Sequence, residues 1–282
     1  MTHDDGLIVE RRAHVAVITM NRPHRHNSVD TAQLERLEST WHELDADADV
    51  RVIVFTGAGS AFCAGADLVA RTAGESATSE VAEDVDAADI YPSPRRGGGR
   101  VGFTARHCKV YKPVITAVNG VCAGAGLHFV ADSDIVICSS NATFVDTHVN
   151  VGQVSALEPI GLSRRIPLGA VLRMVCLGRH ERIDAQRALD IGLVTEVVDP
   201  AARLLDRALE LADLVATASP DSLRVSLQAI WEGLDLGLED AYLNGYRPLV
   251  AHWRHPDAVE GARAFVEKRE PTWTVLPRTS EV

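Results

Sequence analysis

Two strand-like segments that each end in a turn of small residues restrict the fold of this chain more than any other feature. The first, VIVFTG, continues into AGSAFCAGADL, and the second, VITAV, continues into NGVCAGAGL. Uninterrupted, β-branched apolar runs are typical of strands buried on both faces, as in a parallel sheet covered by helices. Glycine and alanine after such strands let the backbone approach another group closely. The chain is therefore predicted to build its core from strands that alternate with helices.

The order of the predicted elements divides the chain at about residue 200. Before this point, segments such as HVAVITM and DIVICSS predict further strands, and Ser28 is expected to cap the first helix. Beyond it, the chain is predicted to be almost entirely helical. We therefore expect an α/β core over residues 1–200 and a helical region over 201–282. Residues 69–105 are polar and punctuated by glycine and proline, which predicts a loop or a lid.

The composition excludes several classes of protein. Hydrophobic residues make up 46% and charged residues 24% of the 282, as in ordinary globular proteins. The formal net charge of −11 argues against a surface for nucleic acid or for an anionic membrane. No apolar run reaches about 18 residues, so no membrane span is predicted. The five cysteines contain no CxxC pair, which favours free thiols and a cytoplasmic location.

The two small-residue turns match neither of the common phosphate-binding motifs. Gly57 and Gly59 are followed by Phe62 where a dinucleotide fingerprint has its third glycine, and neither turn contains the lysine of a P-loop. The second turn leads into a helix, whose first N–H groups lack partners within the helix. Two such turns facing one point would form an oxyanion hole, where backbone N–H groups stabilise a negatively charged oxygen. The alternative is simple packing of strand against helix.

In order and in spacing, these segments resemble those of the enoyl-CoA hydratase/isomerase (crotonase) superfamily. The resemblance runs from VAVITMNRPHRHNSVD through both turns and SDIVIC to AFVEKREPTW, which is nearly the whole chain. It implies an α/β fold, a crotonase-like spiral of ββα units with a helical C-terminal trimerisation region. It also implies a trimer that is often doubled to a hexamer. The implied substrate is an acyl thioester of coenzyme A, and no permanently bound cofactor is expected.

The resemblance also assigns candidate binding residues. Two backbone amides of the superfamily bind the thioester carbonyl oxygen, and they correspond to Ala64 and Ala125. The adenine of coenzyme A is expected near the loop that follows Ala64, and its phosphates near a C-terminal lysine or an arginine of the Asn-Arg-Pro turn. Each of these cations can equally be a solvated surface charge. The candidate contacts with coenzyme A are Arg22, Arg25, Ala66, Asp67, Phe265 and Lys268.

The two acid–base positions of the superfamily differ in this sequence. Its hydratases use two glutamates, one as base and one as acid, and the corresponding residues are His128 and His148. Histidine is a competent acid or base at neutral pH, although a lone histidine on an apolar helix is commonly a core residue. Asp146 is expected to lie on the same side of an extended segment as His148, and Glu158 to reach the acyl pocket.

The sequence thus predicts an acyl-CoA-processing enzyme, a lyase or isomerase of this family with altered proton-transfer groups. Simple hydration is disfavoured because both glutamates are replaced. Histidine-dependent C–C bond hydrolysis, double-bond isomerisation, thioester hydrolysis and acyl-CoA binding without turnover stay open. A metal site is not predicted, since no third ligand stands out beside His128 and His148. The expected partners are an acyl-CoA and further copies of the chain, without nucleic acid or membrane.

Overall fold

The computed structural model describes residues 6–68 and 102–274, which form two β-sheets with helices packed against them. The loop or lid predicted for residues 69–105 lies almost wholly outside the described residues. Within the described part of the chain, no helix is long and apolar enough to span a bilayer.

The helices and strands follow one another along the chain as the apolar patterns predict. The strands are β1 (Leu7–Arg12), β2 (Val15–Met20), β3 (Val52–Gly57), β4 (Ala61–Cys63), β5 (Val114–Val118), β6 (Val121–Ala123), β7 (Ile135–Ser139), β8 (Thr143–Val145), β9 (Ile183–Asp184) and β10 (Glu196–Val198). The helices are α1 (Thr31–Ala46), α2 (Gly126–Ala131), α3 (Leu157–Leu162), α4 (Leu168–Leu177), α5 (Ala185–Asp190), α6 (Leu204–Ala216), α7 (Pro220–Gly233), α8 (Leu238–His252) and α9 (Pro256–Glu267). Short 3-10 helices cover Pro23–Arg25, His148–Val151, Gly178–His180 and Ala201–Arg203.

The two sheets are mostly parallel. The larger sheet has the strand order β1-β2-β3-β5-β7-β10, and β1 is its antiparallel strand. The smaller sheet has the order β4-β6-β8-β9, with β9 antiparallel to β8. This arrangement confirms the predicted α/β class, and after β10 the described chain is helical apart from its connecting segments.

Strand β3 shows why its sequence is an unbroken apolar run. Val52 and Val54 pack in one core with α6, whereas Ile53 and Phe55 belong to the main core on the other face of the sheet. Successive side chains of a strand point to opposite faces, so a strand covered on both faces needs apolar residues at every position. The prediction that this segment is a strand buried on both faces is confirmed.

The N-cap of helix α1 lies two residues after the predicted one. Its N-cap is Asp30, whose side chain accepts the N–H of Gln33 at 2.9 Å. The prediction that Ser28 caps this helix is wrong, because Asp30 occupies the N-cap position. The carbonyl of Ser28 accepts a hydrogen bond from Nη1 of Arg22 at 2.8 Å in the preceding turn.

Three successive strand pairs determine where the reactive segments lie. In β3–β4, β5–β6 and β7–β8, a strand of the larger sheet is followed directly by a strand of the smaller one. Because β4, β6 and β8 are neighbours and parallel, the segments after them leave the sheet at the same edge. This edge therefore brings together residues 64–67, 124–126 and 146–148.

Candidate active site

Glycine lets the two small-residue turns approach each other closely. A Cβ placed on Gly65 would lie 3.2 Å from the carbonyl oxygen of Ala123 and 3.6 Å from the nitrogen of Ala125. Gly65 has a φ of +97°, which side chains disfavour. A Cβ on Gly126 would lie only 2.8 Å from the carbonyl oxygen of Cys63. The turns that follow β4 and β6 are therefore in contact, as an oxyanion hole requires.

One of the two amides predicted for this hole is already occupied. The N–H of Ala64 donates to the carbonyl oxygen of His26 at 3.0 Å, so it is not available to a substrate. The prediction that Ala64 supplies an oxyanion-hole amide is therefore wrong.

The amide of Ala66 is in a different position. Val29 forms a parallel β-bridge with Ala66. The two hydrogen bonds of this bridge involve the neighbours of Ala66, because the N–H of Val29 donates to the carbonyl of Gly65 at 2.9 Å and the carbonyl of Val29 accepts the N–H of Asp67 at 2.8 Å. In such a parallel bridge the N–H of the central residue points away from the partner strand. Among the described residues, neither the N–H of Ala66 nor that of Ala125 donates a hydrogen bond.

Asp146 fixes the orientation of the His148 ring. Its Oδ1 lies 2.7 Å from Nδ1 of His148 and also accepts the backbone N–H of His148 at 3.0 Å. Its other oxygen accepts the hydroxyl of Ser155. The predicted proximity of Asp146 and His148 is confirmed, and the ring lies beside the second turn, where a Cβ on Gly124 would be 3.4 Å from Cε1 of His148.

Glu158 joins the two predicted histidines. Helix α3 presents this buried carboxylate so that its Oε1 lies 3.3 Å from Nε2 of His128 and 3.5 Å from Nε2 of His148. His128 itself is a buried residue of α2, and its ring meets that of Phe103 edge to face at 5.1 Å. The sequence named all three polar residues, and the structure places them in one cluster with Asp146.

Both carboxylates of this cluster are held in the ionised form. Burial alone would raise the pKa of Glu158, but the hydrogen bond from His128 and the charges of His128 and His148 outweigh it and lower the pKa below 4.5. Burial would likewise raise the pKa of Asp146, but the hydrogen bonds from His148 and Ser155 outweigh this effect and lower the pKa below its ordinary value. At neutral pH the site therefore contains two negative charges, one between the rings of His128 and His148 and one beside the ring of His148 alone.

A third histidine next to this cluster has no counterpart among the sequence predictions. The ring of His107 lies 5.5 Å from that of His128, and its Nε2 is 3.4 Å from Oδ2 of Asp132. Burial lowers the pKa of His107 to about 4, against the opposing charge of Asp132, so its imidazole is neutral at pH 7. No motif surrounds His107 in the sequence, and only the fold brings it to this place.

The residues predicted to contact coenzyme A differ in their exposure and in their ion pairs. Arg22 is paired with Asp30 at 2.8 Å and with Asp67 at 3.1 Å, so its charge is balanced inside the protein and argues against a phosphate contact. Arg25 is exposed on the 3-10 helix after β2. Lys268 is the exposed C-cap of α9, and the Phe265 side chain is 85% exposed.

Comparison with known proteins decides the family. The family model described as enoyl-CoA hydratase/isomerase matches residues 10–91 and 103–275. The chain belongs to the enoyl-CoA hydratase/isomerase family. A crystal structure of a family member from Mycobacterium paratuberculosis superimposes with a TM-score of 0.83 at 38% identity, over 96% of this chain and 99% of that one. The resemblance recognised in the sequence, and the fold it implied, are thereby confirmed.

Curated relatives of this family act on several acyl-CoA thioesters. The (E)-benzylidenesuccinyl-CoA hydratase of Thauera aromatica is 34% identical over 92% of this chain and 95% of its own length. The carnitinyl-CoA dehydratase of Proteus mirabilis is also 34% identical, over 95% of this chain and 98% of its own length. These similarities extend along nearly the full length of each protein.

Proposed function

We propose that this protein reversibly hydrates the double bond of a 2-enoyl-CoA thioester, with Glu158 as base and His148 as acid. The observation that carries the proposal is the position of Glu158, whose Oε1 lies within 3.5 Å of Nε2 of both His128 and His148. Hydration needs a base for water and an acid for the α-carbon in close geometry. A carboxylate from α3 meets this need although both glutamate positions of the superfamily carry histidine.

Glu158 has the properties of the base. Its lowered pKa keeps it ionised at neutral pH, and the hydrogen bond to His128 fixes one side of the carboxylate. A water molecule between Glu158 and His148 would transfer a proton to the carboxylate while its oxygen bonds to the β-carbon.

His148 has the properties of the acid. The ionised Asp146, 2.7 Å from Nδ1, stabilises the imidazolium form of His148 as a carboxylate does in hydrolase triads. The Nε2 proton then passes to the α-carbon as the enolate collapses. Proton transfer from Glu158 back to Nε2, across 3.5 Å, restores both groups, and the net change is one water added to the double bond.

The N–H groups of Ala66 and Ala125 are the proposed oxyanion hole. Hydration passes through an enolate whose negative charge rests on the thioester oxygen. Two preorganised amides facing that oxygen contribute about 3–4 kcal/mol each to transition-state stabilisation. The contact between Gly65 and the Ala125 amide supports their convergence, since it places both turns around one space.

An assay with crotonyl-CoA and with a phenyl-substituted enoyl-CoA tests the proposal. We expect the ultraviolet absorbance of the conjugated thioester to fall and a 3-hydroxyacyl-CoA to form, with ¹⁸O from labelled water in the new hydroxyl group. Binding of the thioesters without any conversion would favour acyl-CoA binding without turnover. Release of free coenzyme A would favour thioester hydrolysis, and a shifted double bond would favour isomerisation.

Hydrolysis of a C–C bond in a β-dicarbonyl compound is the second candidate. The Asp146–His148 pair supports it, because an imidazole oriented through Nδ1 is suited to deprotonating water for attack on a carbonyl carbon. Cleavage of a β-diketone, with no hydration of either enoyl-CoA, would replace the first proposal by this one.

We also propose that the chain forms trimers or hexamers. Helix α8 and its C-cap expose a row of large apolar side chains, and residues 149–168 expose another. Exposed apolar patches of this extent mark interaction surfaces. Light scattering should give three or six times the chain mass, and a monomer would contradict the proposal. The side chains are Leu238, Tyr242, Leu243, Tyr246, Leu249 and Trp253 in the first row, and Val149, Val151, Val154, Leu157, Ile160 and Leu168 in the second.

We also propose that coenzyme A contacts Arg25, Asp67, Phe265 and Lys268. A cytoplasmic location is proposed as well. The exposed cations support the contacts with coenzyme A best, because Arg25 and Lys268 form no ion pair among the described residues. Charge reversal at Lys268 should raise the KM for the thioester if it binds a phosphate, and should leave KM unchanged otherwise.

A further inference from the structure

We propose that His107, His128 and Asp132 form a binding site for a divalent transition-metal ion. One possible ligand atom from each residue lies within 4.8 Å of the other two. Nε2 of His107 and Oδ2 of Asp132 are 3.4 Å apart. The proposal goes beyond the hydration chemistry, and it concerns binding alone.

The fold brings these three ligands together from two segments. His128 and Asp132 are four residues apart, so they lie on the same side of α2 and its C-cap, where the N–H of Asp132 donates to the carbonyl of His128 at 2.9 Å. His107 comes from the turn before β5. Between them, the Phe103 ring contacts both imidazoles edge to face, at 5.2 and 5.1 Å.

The carboxylate is already oriented by a neighbouring hydroxyl. Thr104 Oγ1 donates to Oδ2 of Asp132 at 2.7 Å, in the way that outer hydrogen bonds orient metal ligands. The nearby Arg106 is ion-paired with Asp134 at 3.2 Å. The side chains of His107 and Asp132 are 5% and 18% exposed, so the site is shielded while its carboxylate still reaches solvent.

The donor set identifies the class of ion. Two imidazoles and one carboxylate suit Zn²⁺ and Co²⁺, whereas Mg²⁺ and Ca²⁺ prefer oxygen ligands only. Ligands about 2.0–2.1 Å from zinc in a tetrahedral site are about 3.3 Å apart. The His107–Asp132 distance of 3.4 Å fits this spacing, and a ring nitrogen of His128 lies within 4.8 Å of both ligand atoms. The sequence predicts no metal because no third ligand stands out beside His128 and His148, and the structure places His107 and Asp132 next to His128.

Titration of the untagged protein with Co²⁺ and Zn²⁺ tests the site without any substrate. Tetrahedral Co²⁺ has visible absorption bands, and calorimetry with Zn²⁺ gives the stoichiometry. We expect one ion per chain, with both signals lost in His107→Gln and Asp132→Asn. His42→Ala removes an exposed histidine of α1 and should bind as the unaltered protein does. Circular dichroism of each variant checks its fold.

Binding that is absent, or equal in all four proteins, would overturn the proposal. If either cluster variant fails to fold, crystals of the unaltered protein soaked in Zn²⁺ provide the second measurement. An anomalous difference peak between His107, His128 and Asp132 supports the site, and peaks confined to surface histidines refute it. Because none of these measurements uses a thioester, their outcome is independent of the hydration proposal.

Discussion

Replacing Glu158 by glutamine removes the charge of the side chain and keeps its size, so it tests whether the carboxylate acts as the base. The carboxylate contacts Nε2 of His128 at 3.3 Å and of His148 at 3.5 Å. In Glu158→Gln the amide keeps the volume and can still accept one hydrogen bond, but it cannot take a proton from water. The backbone amides proposed for the thioester oxygen are unaffected.

The size of the effect follows from these contacts. A positioned general base contributes about 10²–10⁴-fold to a rate, which corresponds to about 2.7–5.5 kcal/mol of transition-state stabilisation. We expect kcat to fall by this factor while KM changes little, since the lost interaction is made in the transition state. Loss of the charged hydrogen bonds should also lower the unfolding free energy by about 1.5–3 kcal/mol.

Steady-state kinetics with an enoyl-CoA that the unaltered protein converts, together with thermal unfolding, measure both effects. Glu35→Gln, an exposed substitution on α1, is the matched control and should change neither. Glu158→Asp keeps the charge but withdraws it by one methylene, so its kcat should lie between the other two. A folded Glu158→Gln protein with kcat near that of the control would refute Glu158 as the base.

Three further predictions use the same structure. In Asp146→Asn, the alkaline limb of the pH–rate profile should move to lower pH, because the imidazolium of His148 loses its carboxylate partner at 2.7 Å; an unmoved limb would contradict this role. The stability difference between the unaltered protein and Glu158→Gln should be complete above pH 4.5 and shrink as denaturation is measured at lower pH, since the lowered pKa of Glu158 stabilises the fold only while it is ionised; a constant difference would exclude this linkage. Gly126→Ala should cost about 1–3 kcal/mol in chemical denaturation because of overpacking against β4, whereas Gly169→Ala, with open space around it, should not; equal stabilities would contradict the close approach.

The strand pattern was predictable because it depends on local sequence. The apolar runs identify β3 and β5 directly, since both faces of these strands are buried. The cap of α1 does not follow from the local sequence, because Ser28 and Asp30 are both good N-cap residues two positions apart. The hydrogen bond from Gln33 to Asp30 distinguishes them only in the folded chain.

The details of the candidate site depend on contacts between distant segments. Ala64 and Ala66 lie in the same turn, and which N–H is available is decided by His26 and Val29, more than 30 residues earlier in the sequence. The place of His107 beside His128 likewise results from packing of the turn before β5 against α2. Sequence patterns identify the turns and the histidines. They do not show which backbone N–H groups are already hydrogen-bonded to distant segments and which are available to a substrate.

At the edge formed by β4, β6 and β8, the main chain and the side chains have different proposed roles. Its proposed carbonyl-binding donors are peptide groups, which any residue other than proline possesses. Its proposed proton carriers are side chains supplied by α3 and by the segment after β8. Exchange of a few side chains can therefore change the reaction, while the backbone amides proposed to bind the thioester oxygen stay the same.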